Sequence, residues 1–455
     1  MQPLTKRLTP SVFSRALAWS ILQAGIKLLG QLTLGKTIAL WFGPAGLAWI
    51  GQFQNLLYLQ QNLGPGAIQN SLVQALNQPK YLAGKGGPSA TGQEARQGLL
   101  GFAWNLGLVL CLLGALVWAF TYSQVGARLT GVTLPLWLYL ALTFGLVFPT
   151  FFYWALAYHS AVQDYRRYAL LNVQQTLWSV GLFVVGAWLG GKSGACLGLV
   201  LSQIPVGLTA LKGMKEAGFP LKSLAGRLRL GLRSFATDHE TYGLWPLVAL
   251  SLYSVLSTQL VLLGIRSYLL HRHSMAEAGC WEALMRLSNV WVPVVSVLLT
   301  SYYLPDLSRS VERKAYLLNS LKASLSSAGL VAVYAAAVMA FRQPVVALLF
   351  SEEFLPLLSI LGLQLGADIL KAACWGLHHG LLARRKAKIL TFLDLAYQSI
   401  LLGGLATGLA HDRWESVVWL YAIATLVQLL ATVVVWWMDS LRIPAADGLN
   451  QNSSL

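Results

Sequence analysis

Gln364, Asp368, Lys371, Trp375 and His378 follow one another at i, i+4, i+7, i+11 and i+14, the spacing that lines side chains along one face of an α-helix. The residues between them are mostly Leu, Ile, Ala and Gly, so the face is set in an apolar stretch. An ionised side chain is costly in such a setting unless it is paired or faces water. Asp368 and Lys371, three apart, are close enough to pair, which suits a carboxylate that exchanges its amine for a proton or Na⁺, or else a purely structural ion pair. His378 and His379 sit toward the end of the stretch and read as interfacial side chains. Glu282 and Arg286 stand at i and i+4 and can pair, with Trp281, Ser288 and Asn289 nearby. Asp394 begins the next apolar segment and reads as an interfacial acid. Asp368, Lys371, Glu282 and Asp394 are therefore the candidates for ion coupling or gating.

The amino-terminal part carries a different chemistry. Ser20, Gln23, Lys27 and Gln31 form a polar stripe, and Lys36 follows nine residues after Lys27, half a turn out of phase on a straight helix. Gly30 and Gly35 lie between or beside them and are expected to bend or unwind the helix, bringing both ammonium groups to one cavity. Gln52, Asn55, Asn62 and Gln69 share roughly one face of the next segment, which Gly64-Pro65-Gly66 should kink, and such an amide face suits sugar hydroxyls. If the two helical acid–base pairs neutralise themselves, Lys27 and Lys36 are left without a local acid. Cations in surplus favour an anionic ligand, and Lys27, Lys36 and Arg286 are the candidates to hold a diphosphate.

The elements that must position these groups are transmembrane helices. Hydrophobic residues make up 56% of the chain, charged residues 11%, and the mean hydropathy is +0.58, against about 25% charged residues in soluble domains. Apolar segments are predicted near 12–42, 45–76, 97–121, 133–157, 168–190, 194–211, 243–264, 275–303, 317–341, 355–383, 388–410 and 414–438. The expected fold is an all-α membrane protein of about twelve spans. Its parts are an amino lobe over 1–211, a basic cytoplasmic linker over 212–239, a carboxyl lobe over 240–438 and a polar cytoplasmic tail over 439–455.

Loop charges set the orientation. Arg166 and Arg167, the run from Lys212 to Arg233 and the RRKAK stretch at 384–388 fall on one side. The other side keeps Arg128, Lys192, Arg266, Arg272, Arg342 and Arg413. The asymmetry puts both termini in the cytoplasm and accounts for the formal charge of +16 without nucleic acid. The first apolar segment is too long for a signal-peptide core and is expected to remain as a span. The four cysteines all fall in predicted spans with no metal-ligand spacing and read as small buried side chains. No phosphate-cradling glycine loop or nucleophile motif supports an ATP-driven pump, and the short outer loops count against a membrane polymerase or ligase.

Four segments carry a family likeness: GKTIALWFGPAGLA (35–48), YYLPDLSR (302–309), LLFSEEFLP (348–356) and LGADILK (365–371). They resemble the Wzx-type flippases of the multidrug/oligosaccharidyl-lipid/polysaccharide (MOP) superfamily, over about residues 15 to 435. The turn FGPAG and the Asp-x-x-Lys of 368–371 are the most specific parts, and Lys27 and Lys36 also stand where the family pattern matches. Glu282 and Arg286 belong to no such pattern, and the polar tail after Trp437 falls outside it. The resemblance implies a V-shaped bundle of two six-helix lobes in the bacterial inner membrane, with no catalytic residues and no cofactor beyond a coupled H⁺ or Na⁺. It implies an undecaprenyl-diphosphate-linked oligosaccharide, of the enterobacterial common antigen or O-antigen type, carried from the cytoplasmic to the periplasmic leaflet by alternating access. A polysaccharide polymerase and a chain-length regulator are the implied protein partners. The rival expectations are a MATE-like cation or drug antiporter, which should need an acid in the first lobe's cavity, and a polymerase or ligase.

Overall fold

The computed structural model describes residues 10–62, 106–116, 134–216 and 245–443, apart from 108, 146, 163, 311, 385 and 409–412, together with Gly66, Gln69, Leu72 and Val73. Most of the third predicted span, most of the linker and the end of the tail lie outside the described residues. Among those described there is no strand.

The helices are α1 (Pro10–Gln61), α2 (Leu136–Phe144), α3 (Val147–Ala161), α4 (Tyr165–Leu201), α5 (Gln203–Glu216), α6 (Trp245–Arg272) and α7 (Met275–Ser288). After two short turns of tighter and wider helix around α8 (Val292–Val297) come α9 (Leu304–Arg309), α10 (Arg313–Ala340), α11 (Arg342–Leu349), α12 (Leu358–Ala383), α13 (Ala387–Ala406) and α14 (Glu415–Ser440). Seven stretches among the described residues are long and apolar enough to cross a membrane, from Leu136–Ser160 to Glu415–Ser440. Their outer surfaces carry large apolar side chains such as Phe144, Trp188 and Val333, more than two-thirds exposed, as lipid-facing helices do.

The predicted boundary between the first two spans falls at Gly43, whose φ of 62° and ψ of −167° break α1 just before Pro44. Only glycine takes that conformation cheaply. Gly30 and Gly35, expected to bend this helix, lie in regular helix instead. The fifth and sixth predicted spans likewise join at Gly190 and Gly191, where α4 folds back on itself. There Gly186 meets Gly194, and Gly198 meets the Leu182 carbonyl, so closely that a Cβ would stand 2.2 Å and 2.1 Å from backbone oxygen. Small residues let backbones touch where lipid supplies no hydrophobic drive for helix association.

The chain forms two compact units. One comprises Met1–Thr37 and Ile50–Leu263, the other Ile38–Trp49 and Gly264–Leu455. The FGPAG turn thus belongs with the second unit, where it seats on α7: a Cβ on Gly279 would lie 2.0 Å from the Pro44 carbonyl oxygen. The core of the second unit is α10, α12 and α14. Gly376 of α12 presses on Ser324 of α10, leaving 2.4 Å between a would-be Cβ and the Ser324 backbone, and Ser324 Oγ donates to the Ala373 carbonyl at 2.9 Å.

Two alanine substitutions on this one helix test that packing. Gly376→Ala must push apart two backbones and should lower the stability of the purified protein by about 1–3 kcal/mol. Gly366→Ala, with nothing within 4 Å of the added carbon, should be neutral or gain up to about 1 kcal/mol of helix propensity. Thermal unfolding in detergent compares the two.

Candidate functional site

Asp368 lies in the middle of α12, on the face that packs toward α7 and α14, and is fully buried. Its carboxylate is held by neutral donors. Ser288 Oγ, at the end of α7, donates to Oδ2 at 2.5 Å; Gln364 Nε2 and Tyr421 OH each approach Oδ1 at 3.3 Å. Gln364 also donates to Ser288 Oγ at 3.1 Å, closing a network across three helices. The expected ion pair with Lys371 is not formed: no nitrogen–oxygen contact within 4.0 Å joins the two among the described residues. Three positions on a helix bring side chains near, but the shorter carboxylate found hydroxyls while the longer amine reached elsewhere. Lys371 Nζ stands 5.3 Å from the ring centre of Tyr397 and 5.1 Å from that of Tyr421, between two π faces. Asp394, one turn from Tyr397 on α13, accepts from Gln428 Nε2 of α14 at 3.0 Å and is half-buried. His378 also turns inward, with Nε2 3.1 Å from Thr432 Oγ1.

Glu282 is another buried acid of this unit, as is Asp439, which pairs with Arg384 and Lys386. Arg286 Nε donates to its Oε1 at 3.0 Å, as the i, i+4 spacing requires. Sequence reasoning assigned Arg266 to an outer loop. It lies instead in the last turns of α6, donates from Nη2 to Glu282 Oε2 and rests over the Trp281 ring. Its position only a few residues before the polar His271-Arg272-His273 run concealed it, because hydropathy alone places a helix end too early there.

The first unit is different. Gly30 packs against Thr176 of α4, where an added Cβ would come within 2.3 Å of the threonine methyl. Lys27, one turn earlier, is exposed on the surface of its unit, and Gln31 is exposed beside it; the Ser20 side chain lies outside the described residues. No carboxylate pairs with Lys27 among the described residues. The first 215 residues contain two acids, Glu94 and Asp164, and Asp164 caps α4 and meets Arg167 and His159. Lys36 is half-buried. Because the helix stays regular through Gly30 and Gly35, Lys27 and Lys36 point to opposite sides and are not brought to one cavity by bending there.

The amides also depart from expectation. Gln52 and Asn55 are buried, and Asn62 donates to the Tyr58 carbonyl one turn back. Gln69 is half-buried. These positions pack helices together more than they line a wet face. Gln60 and Gln61, which the chosen face left out, are buried as well; Tyr153 OH donates to Gln61 Oε1 at 3.4 Å.

An isosteric pair of substitutions weighs the network around Asp368. Asp368→Asn leaves an acceptor for Ser288 and Tyr421 and should keep the protein folded. Asp368→Leu orphans those donors at about 1–3 kcal/mol each, so its thermal unfolding should occur well below that of the asparagine variant.

No protein-family model matches the chain. The lipid III flippases of Escherichia coli (strain K12) and Shigella flexneri are each 23% identical to it over 394 residues, which is 86% of this chain and 89% of theirs. Among solved structures, an inward-facing multidrug resistance MATE family transporter of the MOP superfamily superposes with a TM-score of 0.70 at 15% identity, over 96% of this chain and 100% of that one. The lipid II flippase MurJ in an inward closed conformation gives 0.66 at 14% identity, over 95% and 89%. The folds coincide although the sequences have diverged. The chain is thus similar in sequence to lipid III flippases through most of its length and shares the fold of MATE and MurJ transporters, as a multi-pass membrane protein.

Proposed function

We propose that this protein is a flippase for an undecaprenyl-diphosphate-linked oligosaccharide, which it carries from the cytoplasmic to the periplasmic leaflet of the bacterial inner membrane by alternating access. The observation that carries this reading is Lys27: an exposed ammonium on α1, with which no carboxylate pairs among the described residues. Such a group is satisfied by an anion or by water, and an anionic headgroup with a lipid tail can reach it from the bilayer. The similarity to lipid III flippases supports a lipid-linked glycan as that anion's carrier. A cation antiporter would want the reverse, an acid where this unit has lysine.

Coupling to H⁺ or Na⁺ falls to the second unit. Asp368, Asp394 and Lys371 lie on α12 and α13, and uptake of a proton or Na⁺ by one of the two acids would bias one state over the other. Lys36 and the amides Gln52, Asn55, Asn62 and Gln69 retain supporting roles around the headgroup and the helix that carries it. Export partners of the polymerase and chain-length-regulator class fit the same reading.

Loss of one charge-assisted contact of about 1.5–3 kcal/mol corresponds to a fall of about 10- to 150-fold. Lys27→Ala should therefore insert at the wild-type level yet fail by that order to relieve a deletion strain of inner-leaflet lipid-linked repeat units. Full transport with alanine at position 27 would exclude it as the anchor. Asp368→Asn should yield a folded protein whose transport no longer responds to dissipation of the proton or sodium gradient; an unchanged response would remove Asp368 from coupling.

A further inference from the structure

The ammonium of Lys371 sits in a corner built from two tyrosines. The Tyr397 ring of α13 and the Tyr421 ring of α14 stand 6.4 Å apart between centres and at 78° to each other. Lys371 Nζ lies 5.3 Å and 5.1 Å from those centres. Two aromatic walls at nearly a right angle around one ammonium are the geometry by which proteins hold alkylammonium ligands. The Tyr421 hydroxyl donates to Asp368 Oδ1 at 3.3 Å and is also within reach of the Lys371 ammonium, so one wall of the corner is tied to an acid.

Two carboxylates stand near this corner. Asp368 and Asp394 both act on Lys371 electrostatically, yet neither pairs with it within 4.0 Å among the described residues. Asp368 takes its hydrogen bonds from Ser288, Gln364 and Tyr421, and Asp394 takes one from Gln428. A lysine kept only to neutralise an acid would pair with one of them. This lysine instead takes the place of a cation held between π faces, and the two acids attract it from a distance. Asp368 and Tyr421 are buried and make the floor, whereas Lys371, Tyr397 and Asp394 are half-buried, so the corner is reached from the surface of its unit.

We propose that Tyr397, Tyr421, Asp368 and Asp394 form a binding site for a small organic ammonium, which Lys371 fills with a tethered one. Lys371 is then a specificity-determining residue: by occupying the cage it keeps cationic ligands out of the second unit. A free cation must displace an ammonium whose local concentration is set by its own short tether, and it competes poorly. The inference goes beyond the flippase reading and holds whatever lipid the protein carries. No bond is made or broken.

The test uses the full-length protein in a sugar-headed detergent, which carries no ammonium of its own. It is titrated calorimetrically with choline, with neohexyl alcohol, the uncharged carbon isostere of choline, and with Na⁺. Lys371→Ala should bind choline more tightly than wild type by about tenfold or more and should ignore the alcohol. Lys371→Met, whose neutral side chain still fills the corner, should show no gain. Adding Tyr397→Leu to Lys371→Ala should remove the gain. If Lys371→Ala is unstable by itself, choline should raise its unfolding temperature and the alcohol should not. Wild type binding choline as tightly as Lys371→Ala would overturn the occupancy by Lys371. A gain for Na⁺ with none for choline overturns the aromatic cage and gives the corner to the acids alone. Absence of both tighter binding and a thermal shift with choline, in Lys371→Ala and in Lys371→Ser, overturns the proposal outright.

Discussion

A charge inside hydrocarbon must find a partner, and the rest of this structure is arranged around how that demand is met. An unpaired buried ion costs several kcal/mol even after relaxation. The second unit answers with two kinds of partner. Asp368 draws hydroxyl and amide donors from three helices, while Glu282 draws guanidiniums from two. Lys371 rests between two tyrosine rings, which supply attraction without a second formal charge. Because each of these groups draws at least one partner from another helix, meeting the electrostatic demand also fixes where those helices stand.

Helix α7 connects the two solutions. Its middle turns carry Glu282 and Arg286, and its last residue, Ser288, bonds Asp368. The helix then tightens at Asn289–Trp291 and widens at Leu298–Tyr303, so regular α geometry ends where the Asp368 network begins. At its other end Gly279 receives the FGPAG turn of α1. Close packing holds this arrangement: where glycines let backbones meet, neighbouring helices have no slack in which to drift.

Much of this was legible in the sequence because membrane helices announce themselves by length and apolarity. The break at Gly43 was readable from FGPAG and the fold-back at Gly190-Gly191 from paired glycines in an apolar run. The Glu282–Arg286 contact followed from i, i+4 spacing alone. What could not be read was anything that depends on a neighbouring helix. Arg266 looked like a loop residue because its partner lies across a turn on α7. Asp368 seemed destined for Lys371 because the sequence shows the lysine three residues away and hides Ser288, eighty residues distant. The amides Gln52 and Asn55 carried a helical period, but period does not say whether a polar face meets water or another helix.

The uneven distribution of acid follows from the same constraint. The first 215 residues hold two acids, and the one described lies at a helix end, engaged by Arg167 and His159. In the second unit the buried acids are engaged: Asp368 by hydroxyl and amide donors, Glu282 by Arg266 and Arg286, and Asp439 by Arg384 and Lys386. A protein that only needed to survive in the bilayer would do so more cheaply with apolar side chains at all of these positions, since replacing a buried ion pair by packed hydrophobic residues is often neutral or stabilising.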